Sequence, residues 1–162
     1  MKTEKKWLIA GASHGLGLAA VKYLLTKGQR VISLVADTRH LSVEMLNNPQ
    51  LEIIVLNPAS ENEVLRMCEN LFAKYGQIDK MVNNAGATRF MIQHILPLMQ
   101  GNGHFIELLP GCGPASIADS TTEHAVRYGV GLSEDLFLQA NNMGIKVTII
   151  GQGSPVPIFS NN

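Results

Sequence analysis

Three glycines stand between the first strand-like run of the chain and its first helix-like run. They are Gly11, Gly15 and Gly17, and apolar residues 7–10 come directly before them. The first N–H groups of a helix have no partner inside the helix and lie at the positive end of its dipole, so they can bind phosphate. Glycine leaves room for the turn and for the phosphate, where a Cβ would obstruct both. The spacing predicts a binding site for the pyrophosphate of a dinucleotide.

Two opposite charges follow the second strand-like run, residues 31–35, and bear on which dinucleotide would bind. An acid at this place binds the hydroxyls of the adenosine ribose, whereas an arginine accepts a 2′-phosphate. Val35 and Ala36 fill the usual discriminating positions, Asp37 and Arg39 follow them, and His14 offers a second donor to a phosphate. The residues therefore leave both NAD and NADP open, with a slight preference for NADP. Asp37 and Arg39 can equally be solvated loop residues.

The elements that would position these residues alternate between strand and helix from end to end. Strands are predicted at residues 7–10, 31–35, 51–56, 80–82, 104–109 and 145–150, where short apolar runs imply burial on both faces. Helices are predicted after the glycine turn and at residues 41–46, 60–75, 90–99 and 121–142. Gly28 would end the first helix, and Ser60 with Glu63 would form a capping box. The alternation predicts an α/β fold of Rossmann type, with six parallel strands in a doubly wound sheet between two layers of helices, as a single domain over residues 1–162.

Composition argues against several other classes of protein. The 162 residues carry 13 basic and 13 acidic side chains, a formal net charge of zero, so no surface for nucleic acid or for an anionic membrane is predicted. The apolar runs are far shorter than the roughly 20 residues of a membrane-spanning helix. The charged start does not resemble a secretory signal, and a cytoplasmic location is the default expectation. Cys68 and Cys112 have no metal-site spacing and are predicted to be buried thiols.

A second motif points to a known family. Residues 83–86 read Asn-Asn-Ala-Gly directly after the fourth predicted strand, and the alternative interpretation of this segment is a plain polar turn. Together with Gly11-x-x-x-Gly15-x-Gly17, the segment resembles the short-chain dehydrogenase/reductase family. The resemblance implies that the glycine turn binds NAD(P) and that the Asn-Asn-Ala-Gly segment lines the nicotinamide side. By position, the implied cofactor contacts are Gly11, Ser13, His14, Gly15, Leu16, Gly17, Asn84, Ala85 and Gly86, with Asn57 standing where the family usually has an aspartate near the adenine.

The catalytic residues that the resemblance would imply are absent from their expected positions. The family uses a Tyr and a Lys one helical turn apart, a Ser at the end of the fifth strand, and an Asn from the helix after the fourth. The Ser position falls here on Leu109 or Pro110, and within residues 122–127 no alignment gives the Tyr and Lys pair. Only residues 87–89 separate the Asn-Asn-Ala-Gly segment from the next apolar run, so the catalytic Asn is expected to be deleted.

Tyr128 is the phenol nearest to the expected position, and His124 lies one helical turn before it. Lowering the pKa of a tyrosine from about 10 to near 7 requires about 4 kcal/mol of preferential stabilisation of the phenolate. A neutral imidazole cannot supply that much. Tyr128 and His124 are therefore weak candidates for a proton donor, and a purely structural role is the preferred interpretation of both.

These departures leave three functional hypotheses. The preferred one is a shortened, degenerate family member that binds NAD(P) but has lost standard hydride transfer. The second is an active oxidoreductase for carbonyls or alcohols that uses a non-standard proton donor. The third is a structural or partner-binding module without a nucleotide.

Association of two copies is expected from the last predicted strand. The resemblance implies that the final strand of the family is missing, which would leave residues 145–150 at an uncovered sheet edge. Such an edge, together with the apolar residues of the predicted helix at 121–142, favours a homodimer, in which the predicted helix at 90–99 can also take part. The alternative is that residues 154–162 fold back over the edge and leave a monomer.

Overall fold

The computed structural model describes residues 4–84, 87–99, 101–109, 134–151 and 159–160. Its strands are β1 (Lys6–Ala10), β2 (Arg30–Val35), β3 (Leu51–Val55), β4 (Lys80–Asn83), β5 (His104–Leu109), β6 (Lys146–Gly151) and β7 (Phe159–Ser160). They form one sheet in the order β3-β2-β1-β4-β5-β6-β7. Strands β1 to β6 all pair in parallel, and β7 pairs antiparallel with β6. The direction of winding reverses between β1 and β4, and the carboxyl ends of parallel strands at such a point border a crevice.

Five helices flank the sheet in the described residues. They are α1 (Gly15–Thr26), α2 (Val43–Leu46), α3 (Glu61–Tyr75), α4 (Arg89–Ile95) and α5 (Glu134–Asn142), and a 3-10 turn at Leu96–Met99 continues α4. Gly28 follows α1 with a φ of +67°, a left-handed conformation that glycine adopts without strain, so the predicted helix end is confirmed. None of these helices is long and apolar enough to cross a membrane.

Apolar side chains fill both sides of the sheet. On one face, α3, α4 and α5 cover a cluster that contains the fully buried Leu8, Met81 and Phe105. On the other face, α1 and α2 cover a cluster that contains Ile9 and Val31. The result is a three-layer α/β/α arrangement, which confirms the predicted fold class. Cys68 is buried in the first cluster, as predicted, and burial raises the pKa of its thiol to about 11. Cys112 lies outside the described residues.

The two ends of the sheet differ from the expectation. Strand β3 forms one edge, so it is only half-buried, and the side chain of Val55 is 56% exposed although its apolar run predicted burial on both faces. At the other end β7 pairs with β6, with Phe159 opposite Ile149 and Ser160 opposite Thr148. The prediction of an uncovered edge along β6 is therefore wrong. A two-residue strand from near the chain end occupies that edge.

Candidate functional site

The glycine turn after β1 packs directly against the turn after β4. Gly11 has a φ of +75°, and a Cβ on it would lie 2.0 Å from the backbone oxygen of Asn84. A Cβ on Gly17 would lie 2.1 Å from the backbone oxygen of Gly11. Two hydrogen bonds join the turns, because the Asn84 N–H donates to the Ala10 oxygen at 3.0 Å and the Asn84 side-chain amide donates to the Gly11 oxygen at 3.2 Å. Glycine at 11 is thus required by the contact between the two turns, and glycine at 17 by the close approach of α1 to the Gly11 oxygen.

Gly15 differs from the other two glycines because the space beside it is open. Its φ is +55°, and a Cβ on it would meet no heavy atom within 4 Å. The preceding residue, His14, is the N-cap of α1, where its side chain makes no capping hydrogen bond and instead contacts the Ser13 hydroxyl at 2.9 Å. The first intrahelical bond runs from the Leu18 N–H to the His14 oxygen. The N–H groups that precede it have no intrahelical acceptor, so they can bind an anion.

A cavity of about 290 Å³ opens beside this helix end, along the carboxyl ends of β1, β2 and β3. Its lining residues are Gly11, Ser13, His14, Leu34, Val35, Ala36, Leu56, Pro58 and Asn84. Four of the predicted site residues therefore lie together in the wall: Gly11, Ser13, His14 and Asn84. Gly15, Leu16 and Gly17 stand at the adjoining start of α1.

Of the apolar part of this wall, the sequence analysis named Val35 and missed Leu34, Leu56 and Pro58. Leu34 and Val35 end β2, and Leu56 and Pro58 follow β3. These residues meet the glycine turn because β1, β2 and β3 are adjacent and parallel, so their carboxyl ends lie at one edge of the sheet. The strand order was the signal that could have identified them.

Asp37 and Arg39 bind each other beside the cavity. The Arg39 guanidinium lies 2.7 Å from an Asp37 carboxylate oxygen, and the Arg39 N–H donates to the other oxygen at 3.0 Å. These hydrogen bonds lower the pKa of Asp37 to about 2 and raise the pKa of Arg39. Neither side chain lines the cavity wall, whereas Ala36 beside them does. The two opposite charges thus form a local exposed ion pair at the rim.

Asn57 organises the turn that leads into α3. Its side-chain oxygen accepts a hydrogen bond from the Ala59 N–H at 3.0 Å, and its own N–H donates to the Glu63 carboxylate at 2.8 Å. Because Glu63 accepts from Asn57, and Ser60 makes no side-chain capping bond, the predicted capping box is wrong. Asn57 is exposed and lies between the lining residues Leu56 and Pro58 without lining the cavity itself.

A buried polar pair lies behind the turn after β4. Asn83, the last residue of β4, stands opposite Glu107 of β5, and the two residues are 0% and 2% exposed. The Asn83 side-chain amide donates to both Glu107 carboxylate oxygens at 3.0 Å, and its oxygen accepts from the Ala87 N–H at 3.0 Å. Burial raises the pKa of Glu107 to about 7, although the bond from Asn83 opposes the shift. Sequence reasoning missed Glu107, whose signal was an acid inside the apolar run of β5.

Several predicted residues lie outside the described part of the chain. They are Ala85, Gly86, and the two weak catalytic candidates His124 and Tyr128. Of the two residues at the predicted Ser position, Leu109 is the last residue of β5, and Pro110 is outside the described residues.

Comparison with known proteins identifies relatives along most of the chain. An oxidoreductase of Botryotinia fuckeliana is 24% identical over 92% of this chain and 65% of its own length. The 3-oxoacyl-(acyl-carrier-protein) reductase FabG of Salmonella typhimurium is 37% identical over 51% of this chain and 34% of its own length. The chain thus spans between about a third and two thirds of the length of these curated relatives.

Solved structures share the fold. A short-chain dehydrogenase from Streptomyces avermitilis superposes with a TM-score of 0.69 at 23% identity, over 91% of this chain and 65% of that one. A metagenomic short-chain oxidoreductase in complex with NADP gives a TM-score of 0.71 at 20% identity, over 93% of this chain and 82% of that one. The sequence model of the short chain dehydrogenase family matches residues 5–103, more than half of the chain. This match shows that the chain belongs to the short-chain dehydrogenase/reductase family, and the glycine turn packed against the turn after β4 agrees with it.

Proposed function

We propose that the chain binds a nicotinamide dinucleotide, with the pyrophosphate over residues 11–17, and that it lacks the standard Ser, Tyr and Lys hydride-transfer site. The observation that supports nucleotide binding is the open space beside Gly15 at the start of α1. The first N–H groups of α1, which have no intrahelical acceptors, belong to the same turn of the helix, and a phosphate oxygen would accept from them. A Cβ at position 15 would occupy the same space, so the residue type and the open volume both fit a phosphate.

The cavity beside the glycine turn supports the same assignment for the adenosine half. Its far wall is apolar, built from Leu34, Val35, Leu56 and Pro58, and an adenine ring would bury its faces against such a wall. Ser13, His14 and Asn84 supply polar groups at the end nearer α1. In the family, this geometry belongs to NAD(P). The complex of the metagenomic relative with NADP agrees with it.

The exposed Arg39 favours NADP over NAD in this proposal. Its guanidinium is already held at the rim by Asp37, with five N–H donors of which the ion pair uses only a part. A 2′-phosphate would add a doubly charged acceptor at this rim, and bidentate arginine contacts to phosphate are among the strong hydrogen bonds. A ribose hydroxyl of NAD would have to compete with Arg39 for the Asp37 carboxylate.

Calorimetric titration with NADPH and NADH tests the proposal directly. We expect saturable binding of both nucleotides, with NADPH binding more tightly. Arg39→Ala is expected to weaken NADPH binding by about tenfold, because only NADPH carries the phosphate that the guanidinium would contact, and not to weaken NADH binding, because it frees Asp37 for the ribose hydroxyls. Arg66→Ala, which removes an exposed arginine from α3, serves as the matched control. Failure of wild type to bind either nucleotide would refute the proposal, and an equal loss for both nucleotides in Arg39→Ala would refute the preference for NADP.

The absence of standard catalysis rests on residue types at the expected positions. Leu109 at the end of β5 offers no hydroxyl to orient a carbonyl, and residues 122–127 offer no Tyr and Lys pair. The second hypothesis, an active oxidoreductase with another proton donor, is favoured by the names of the curated relatives, which are an oxidoreductase and a reductase. Turnover measurements with NADPH separate the two hypotheses.

A homodimer is also part of this proposal. Leu138 on α5 is 54% exposed, and Phe137 beside it is only partly buried, so the helix presents apolar surface that a second copy would cover. Sedimentation at micromolar concentration is expected to show a species of twice 17.6 kDa. Leu138→Glu should dissociate it, whereas Leu65→Glu on α3 should not. A single species of 17.6 kDa in wild type would refute the dimer.

A further inference from the structure

The buried pair of Asn83 and Glu107 connects to the candidate nucleotide site through a short series of hydrogen bonds. The Asn83 side-chain oxygen holds the Ala87 N–H and so closes the turn that contains Asn84. Asn84 in turn donates to the Ala10 and Gly11 oxygens and lines the cavity. The orientation of the Asn83 amide therefore bears on the position of a wall residue.

An ionised Glu107 permits only one orientation of that amide. A carboxylate has acceptors and no donor, so it can face the NH₂ group of Asn83 but not its oxygen. Both carboxylate oxygens accept from that NH₂ group, each at 3.0 Å. The Asn83 oxygen is thereby directed to the Ala87 N–H. A protonated Glu107 would carry an O–H donor, which could face the amide oxygen and compete with Ala87 for it.

We propose that Glu107 is a positioning residue of the nucleotide site, whose ionised carboxylate orients the Asn83 amide and thereby holds the turn of Asn84 against Gly11. This inference rests on the proposed nucleotide binding. Because the carboxylate is ionised only above its pKa, nucleotide affinity should rise as the pH increases through the titration of Glu107, which is centred near 7. By linkage, bound nucleotide should lower the pKa of Glu107 in return.

In the described residues, the other charged groups near this pair are exposed, bind other partners or lie further along the strands. Burial and the Asn83 hydrogen bond account for the shift of the Glu107 pKa, with no contribution from a charged neighbour in the described residues. Arg89 and Asp135 form an exposed ion pair that joins α4 and α5. The half-buried His94 of α4 binds the Phe90 oxygen. The remaining charged residues of α3 on this side of the sheet are exposed: Glu61, Glu63, Arg66, Glu69 and Lys74. Strands β4, β5 and β6 carry three further ionisable side chains, each three residues along the strand from Asn83, from Glu107 or from the residue paired with Glu107. They are Lys80, His104 and Lys146.

The first test observes the pair itself and needs neither a variant nor a nucleotide. In NMR spectra of wild type, the Asn83 side-chain amide resonances should shift with pH with a midpoint near 7, the pKa that burial gives Glu107. In Glu107→Gln, which keeps the shape and removes the titration, they should not shift. Exchange of the Ala87 N–H with solvent should be faster in Glu107→Gln, while exchange of the Val82 N–H in β4 stays slow. Asn83 resonances in wild type that are constant across this range would overturn the proposal.

The second test measures NADH affinity from about pH 6 to about pH 8, because NADH lacks the 2′-phosphate that itself titrates. Wild type should bind about five- to tenfold more tightly at the upper pH, within the usual range of coupling between two sites. Glu107→Gln should bind at every pH as weakly as wild type does at the lower one. Glu52→Gln is the matched control, since Glu52 pairs with Lys74 and Tyr75 at the opposite end of the sheet and its pKa is lowered.

Three further results would overturn the inference, and they differ from one another. Parallel pH profiles in wild type and Glu107→Gln would assign the pH dependence to another group and leave nucleotide binding intact. Affinity that falls with rising pH only when Glu107 is present would show charge repulsion of the phosphates instead of positioning. Titration of the Asn83 resonances without any nucleotide binding would remove the proposed function and, with it, the role of Glu107 in that site.

Discussion

Gly15→Val is expected to weaken NADPH binding by at least about 100-fold. A branched side chain would fill the open space at the start of α1, where the proposed pyrophosphate accepts from backbone N–H groups. Hydrogen bonds to charged groups contribute about 1.5–3 kcal/mol each, so the loss of one or two of them accounts for a change of this size. Titration calorimetry with NADPH measures it.

Gly28→Val is the matched control for the backbone. Gly28 also has a positive φ, +67° against +55° at Gly15, and a Cβ on it would likewise meet nothing within 4 Å. The left-handed conformation costs an L residue about 1–2 kcal/mol, so both variants should lose a few degrees of melting temperature. Only Gly15→Val should lose nucleotide binding. Similar affinities in the two variants would show that the phosphates do not lie at this helix end.

Reduction of carbonyl substrates by NADPH is expected to be very slow. Loss of a positioned general acid alone typically costs about 10²–10⁴-fold, and the position that would hold the orienting serine is Leu109. Against a typical kcat of about 10 s⁻¹, turnover should stay below about 0.1 s⁻¹ for a panel of small ketones and aldehydes. The loss of NADPH absorbance over time measures it.

Tyr128→Phe decides between the two enzymatic hypotheses if turnover is found. Rapid reduction that disappears in Tyr128→Phe would establish an active oxidoreductase with Tyr128 as its proton donor. Tyr23→Phe, which removes an exposed hydroxyl from α1, is the control and should leave the rate unchanged. Rapid turnover that survives both substitutions would also contradict the prediction, and it would point to His124 or water as the donor.

The sequence pattern correctly predicted the parts of the fold that depend on interactions between residues close together in the chain. The apolar run before Gly11 forms β1, and Gly28 ends α1, because burial of apolar residues and left-handed backbone both act within a few residues. The capping box at Ser60 failed for a local reason as well. The Asn57 N–H competes for the Glu63 carboxylate, and two donors cannot be ranked from spacing alone.

The periodicity of apolar residues in the sequence could not predict contacts between distant segments of the chain. Leu56 and Pro58 line the cavity only because β3 lies beside β2. Glu107 contacts Asn83 only because the register of β4 and β5 places the two residues opposite each other. The pairing of Phe159 with Ile149 likewise depends on where the chain returns to the sheet. An acid in an apolar strand can be noticed in the sequence, but its partner and its pKa follow from the folded register.

The three glycines of the turn are required for different physical reasons. The difference matters when the residues of related proteins are used to infer whether nucleotide binding has been kept. A side chain at position 11 would clash with the backbone of Asn84, and one at position 17 would clash with the backbone of Gly11, whether or not a nucleotide is present. Selection for folding alone would therefore preserve both glycines in a lineage that had abandoned its cofactor. Position 15 strikes nothing, and its left-handed backbone also tolerates asparagine or aspartate. Among diverging descendants of this chain, drift at position 15 would mark the loss of nucleotide binding, whereas persistence of the other two glycines would record only the survival of the fold.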